Sequence, residues 1–115
     1  LRHCGRWNLK VLSLTPYPGL IYVCETFKEL QKIHKKLTGG KVANNGACGK
    51  TYQLEMDGEV AYLVWGDKPA ALIHELTHCA LYTFEHIGSD PRECNGEPFC
   101  YLLDRLIEEA GVTCT

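Results

Sequence analysis

Apolar residues recur along this chain with two periods, about two and about three and a half, and the changes of period mark out its elements. Leu9, Val11, Leu12 and Leu14 crowd the stretch from Asn8 to Leu14 before Pro16 and Pro18 stop it, which predicts a short strand. Leu20 to Cys24 (L-I-Y-V-C) is a compact apolar run and predicts a buried strand. Thr26 followed by Glu29 forms a capping box, after which Phe27, Leu30, Ile33, His34 and Leu37 recur at helical spacing as far as Gly39-Gly40.

After a polar loop from Lys41 to Gly49, Thr51 to Met56 alternates apolar with polar positions. Asp57-Gly58 is a two-residue hairpin turn, and Glu59 to Trp65 is the partner strand, its nearly continuous apolar run suiting a central or covered position. Asp67 is the expected cap of a helix running from about Lys68 to His86, with Pro69 in its first turn and Ile73, Leu76, Ala80 and Phe84 facing the core. Gly88 ends it. A polar loop leads to a last helix from about Glu97 to Ala110, with Phe99, Leu102, Leu103, Leu106 and Ile107 as its apolar stripe. The order β-β-α-β-β-α-α predicts an α+β fold with a mostly antiparallel sheet, and 115 residues fit one domain, 1–115.

Composition changes this picture only at its margins. Hydrophobic residues make up 45% and charged residues 23%, an ordinary globular balance. A net charge of -2 argues against broad binding to nucleic acid or to an anionic membrane. Lys28, Lys32, Lys35 and Lys36 form the one basic cluster, which reads as the solvated face of a helix. No apolar run reaches the ~18 residues of a membrane span. The chain begins at Leu1, which is compatible with a processed N-terminus. Seven cysteines cannot all pair within one chain. Cys24, Cys79 and Cys100 fall inside apolar periodic segments, as small buried hydrophobes do, and no C-x-x-C pair occurs. That pattern favours a reducing, cytoplasmic setting, with Cys4–Cys114 and Cys48–Cys94 as the disulfide alternative.

The chemistry lies at residues 74 to 78, which read His-Glu-Leu-Thr-His. In mid-helix, positions i and i+4 project from one face a turn apart, so His74 and His78 are placed to reach one metal ion. Glu75 stands one step round the helix, beside the ion rather than on it, where it can take a proton from a metal-bound water. Two imidazoles with a carboxylate suit zinc. An extended peptide is expected to add to strand Glu59–Trp65, read as an edge beside the cleft.

A catalytic zinc takes three protein ligands as a rule. A metzincin needs Gly at 81 and His at 84, where this chain has Leu81 and Phe84. Downstream candidates are Glu85, His86, Asp90, Glu93, Cys94 and Glu97. Glu97, opening the last helix, is the favoured third ligand, with Glu93 and Cys94 as the main alternatives. Tyr101, one turn on, is placed either to donate a hydrogen bond to an oxyanion or to pack at the rim. Asp104 is placed either to orient a ligand histidine or to pair with a surface cation.

His74-Glu-Leu-Thr-His78, followed by a loop and Glu97-Pro-Phe-Cys-Tyr-Leu-Leu, resembles the small zincin-like proteins of phages and prophages over residues 59 to 107. A more distant similarity is to metallopeptidases that act on phage repressors. The resemblance implies a small zincin-like domain in which His74, His78 and Glu97 ligate zinc and Glu75 is the base. Cys100 stands where that pattern usually has alanine. The function expected is zinc-dependent hydrolysis of a peptide or protein substrate. The alternative is a non-catalytic, zinc-stabilised phage accessory protein that binds a host factor.

Overall fold

Consecutive side chains of a strand point to opposite faces, so a strand that is apolar throughout needs cover on both. Strand β4 (Glu59–Gly66) has that cover: Tyr62 and Val64 pack on one side of the sheet, and Ala61, Leu63 and Trp65 on the other. The computed structural model describes residues 9–112. The other elements are β1 (Leu9–Ser13), β2 (Leu20–Cys24), α1 (Phe27–Thr38), β3 (Gly49–Met56), α2 (Pro69–Ile87), a 3-10 turn over Glu93–Gly96, and α3 (Glu97–Glu109).

The four strands form one mixed sheet in the order β1-β2-β4-β3. β1 pairs antiparallel with β2 and β3 antiparallel with β4, whereas β2 and β4 run parallel because α1 and β3 intervene as a crossover. The architecture is therefore α+β, with α1 on one face and α2 and α3 on the other. Leu30 and Ile33 of α1 pack on Tyr22, Leu63 and Trp65. Leu76, Ala80 and Phe84 of α2 join Leu102 and Leu106 of α3 over Ile21, Val23, Tyr62 and Val64. Each such fully buried aliphatic side chain contributes about 1.5–3 kcal/mol. Among the described residues, no helix is long and apolar enough to cross a membrane.

Local signals explain the element ends. The Thr26 side chain accepts from Glu29 N at 3.1 Å, and Gly39 closes α1 in the left-handed region at φ 77°. Asp57 (φ 52°) and Gly58 (φ 80°) form the two-residue turn joining β3 to β4. Asp67 does not cap α2. Its N–H donates to Cys48 O at 2.8 Å and prolongs the β3–β4 ladder, leaving Lys68 as the N-cap with Pro69 behind it. Strand and helix approach closely here: a Cβ on Gly66 would lie 2.4 Å from Leu72 N.

The strand Glu59–Trp65 is central, not an edge. β3 is the outer strand on that side, because β2 occupies the far flank of β4. The cysteines also divide differently from expectation. Cys24 and Cys79 are buried, but Cys100 is exposed, since Phe99, Leu102 and Leu106 take the core-facing side of α3. Cys48 and Cys94 are exposed free thiols, while Cys4 and Cys114 lie outside the described residues.

Candidate metal centre

Helix α2 presents His74, His78 and Tyr82 as one row, four residues apart, with Glu75 beside it toward β3. The opposite side of this helix supplies Leu76, Ala80 and Thr83 to the core, so packing fixes which way the row faces. The two rings meet edge to face, with Nε2 of His74 and Nε2 of His78 3.2 Å apart. Without a metal, one ring can donate its Nε2–H to the other. The same separation fits a shared cation. Two corners of a tetrahedron with ~2.0 Å bonds are about 3.3 Å apart.

The His78 ring is braced from one side. Tyr82 lies nearly parallel to it at 6.0 Å and 19°, and Tyr62, fully buried, lies nearly parallel to Tyr82 at 6.1 Å and 13°. Glu75 leans the other way, against the sheet. Its side chain is only 8% exposed, and Oε1 accepts a hydrogen bond from Thr51 Oγ1 at 2.6 Å, the length of a hydroxyl–carboxylate bond. Oε2 lies over Gly49, where a Cβ would come within 2.7 Å of it. The glycine thus leaves the room that the carboxylate occupies.

These groups surround a hollow of about 440 Å³ lined by Gly49, Lys50, Thr51, Tyr52, His74, Glu75, His78 and Tyr82. One wall is the outer edge of the sheet. Antiparallel pairs alternate between hydrogen-bonded and non-hydrogen-bonded positions, and a two-residue turn begins with a bonded pair, here Met56 with Glu59. Counting back, Leu54, Tyr52 and Lys50 bond to β4, and the Cys48 carbonyl continues the same alternation. Gly49, Thr51, Gln53 and Glu55 therefore turn their backbone N–H and C=O groups outward.

His74, Glu75 and His78 stand together, as the motif implies, but the structure does not bring Glu97 or Tyr101 to them. Phe99 packs on Phe84 at 5.8 Å, and Leu102 and Leu106 fill the core. Glu97, two residues before Phe99 and thus about 200° round the helix, is exposed. Tyr101 is 68% exposed and belongs to a separate hollow with Pro16, Tyr17, Pro98, Leu102 and Arg105. Glu93, Cys94 and Asp104 are exposed, Asp90 pairs with Arg92 at 3.0 Å, and His86 lines another hollow. Among the described residues, no three His, Cys, Asp or Glu side chains gather as a metal-holding group. Thr51, Tyr82 and Gly49 are the site residues that sequence reasoning missed. Only Tyr82 carried a signal, its spacing of four from His78.

A larger hollow of about 540 Å³, lined by Leu9, Lys10, Val23, Cys24, Glu25, Gly66, Leu72 and Ala110, holds no comparable chemistry. Its one thiol, Cys24, is pushed up to about 12 by burial and by the charge of Glu29, so it is no nucleophile at neutral pH. No family model, curated protein or solved structure matches the chain.

Proposed function

We propose that the chain is a small zinc-dependent metallopeptidase of zincin type, with His74 and His78 holding the metal and Glu75 acting as general base. The observation that carries this reading is the 3.2 Å approach of the two Nε2 atoms beside a buried, tethered carboxylate. The resemblance of residues 59 to 107 to phage-encoded zincin-like proteins points the same way, toward a peptide or host-protein substrate. When bound, zinc supplies Lewis acidity, which acidifies water and polarises a carbonyl.

The remaining steps fall to the chain's own groups. The outward N–H and C=O groups of Gly49, Thr51 and Gln53 bind an extended substrate as an added strand. That strand lies along β3, beside the hollow that Glu75 lines. Thr51 holds Oε1 by hydrogen bond, which leaves Oε2 to accept a proton from water and return it to the leaving amine. Tyr82 holds the His78 ring in plane.

Glu75→Gln keeps the shape of the side chain and removes its basicity. The expected result is zinc retained and peptide cleavage lowered by about 10²–10⁴. Unchanged cleavage by that variant sinks the mechanism. Zinc bound at full stoichiometry with no cleavage of any peptide by the wild type sinks the peptidase reading and leaves a zinc-stabilised binding protein.

A further inference from the structure

We infer that the free edge of β3 selects its peptide by side chain, favouring an acidic residue beside Lys50 and an apolar residue beside Tyr52. The two flank the residue that lies opposite Thr51. This deepens the peptidase reading and rests on it for the chemistry, but not for the binding.

The stereochemistry follows from the two-residue period of a strand. Thr51 reaches Glu75, so its side chain is on the α2 face, and Lys50 and Tyr52 are on the α1 face. Tyr52 bears this out, its ring lying 4.5 Å from that of His34 on α1. A strand that bonds to the outward groups of Thr51 puts its next side chains directly across from Lys50 and Tyr52. In antiparallel pairing, the better-bonded arrangement, the substrate reads apolar, any residue, acidic from N to C.

Lys50 is suited to that role. Its partner on β4 is Trp65, which Phe27 covers at 5.0 Å. An apolar neighbour of this kind suits the aliphatic stem of a half-buried lysine whose ammonium stays hydrated. Among the described residues Lys50 makes no ion pair; the Arg92–Asp90 and Arg105–Glu109 pairs lie elsewhere. The same side of the molecule carries the exposed lysines 28, 32, 35 and 36 of α1. Exposed Lys28, Lys32 and Lys35 on that side favour an acidic over a basic peptide at long range.

The test uses the full chain carrying Glu75→Gln, so that binding is read without turnover, and two labelled peptides that differ only in a central Phe-Ala-Glu or Phe-Ala-Lys. The glutamate peptide is expected to bind about tenfold more tightly at low salt, and the difference to shrink as salt rises. Adding Lys50→Gln erases the preference, and adding Lys50→Glu reverses it, with circular dichroism confirming that both variants fold. The same preference in the Lys50→Glu protein, or no binding of either peptide, overturns the inference. A clear preference together with a wild type that cleaves neither peptide defeats the peptidase reading alone.

Discussion

The Thr51 hydroxyl joins the sheet edge to the histidine helix, donating to Glu75 Oε1 at 2.6 Å and reaching the Glu75 backbone carbonyl at 3.4 Å. The carboxylate is buried beside the fully buried Cys79, so it has little water to fall back on. In the proposed mechanism the bond to Oε1 leaves Oε2 as the oxygen that accepts a proton.

Thr51→Val keeps the shape and removes the donor. A buried charged group that loses its hydrogen bond costs about 1–3 kcal/mol or more. A lower melting temperature and reduced cleavage are expected, with zinc affinity unchanged by calorimetry. Thr51→Ser restores both. A valine variant as active as the wild type shows that the bond does not orient the base.

Gly49→Ala tests the space rather than the bond. Its Cβ would meet Glu75 Oε2 at 2.7 Å and Trp65 O at 3.1 Å. Either the carboxylate swings off Thr51 or the strand shifts, at a cost of about 1–3 kcal/mol. Chemical denaturation should show that loss, together with a fall in kcat larger than any change in KM.

The site was only partly legible from the sequence. Thr26 with Glu29, Asp57-Gly58 and the glycines after α1 and α2 are local signals, and each sits where its neighbours alone put it. The His74–His78 pair with Glu75 beside it needs nothing but helical geometry. Thr51 and Glu75 are 24 residues apart and meet only because β3 lies beside β4 under α2. The edge position of β3 depends in turn on the parallel pairing of β2 with β4, which no local pattern encodes. Glu97 reads as a ligand from its place at a helix start, but the rotation of α3 is set by Phe99, Leu102 and Leu106.

Zinc stoichiometry separates the ligands. His74→Ala is expected to abolish tight binding, measured by atomic absorption after dialysis. Glu97→Ala is expected to keep it, since position 97 is exposed on α3. Loss of zinc from the Glu97 variant requires the first turn of α3 to close over the histidines when the metal binds.

The buried thiols predict how stability responds to base. Burial, and then the charge of Glu29, raise Cys24 from 9.0 to about 12, and burial raises Cys79 as well. Between those values the unfolded chain loses thiol protons that the native chain keeps, so stability is full below pH 9 and falls as pH rises toward 12. Denaturation midpoints across that range check the slope, which Cys24→Ala should flatten. In native protein, iodoacetamide should label Cys48, Cys94 and Cys100 while sparing Cys24 and Cys79, as read by peptide mapping.

Gly66 brings the end of β4 against the backbone of Leu72, so the first turn of α2 is seated on the sheet with no cushion of side chain between them. The two imidazoles consequently ride on a base that cannot tilt without breaking that seat. Accommodation of bulkier or slimmer guests must come from the opposite wall, whose outermost ribbon has a neighbour on one side only.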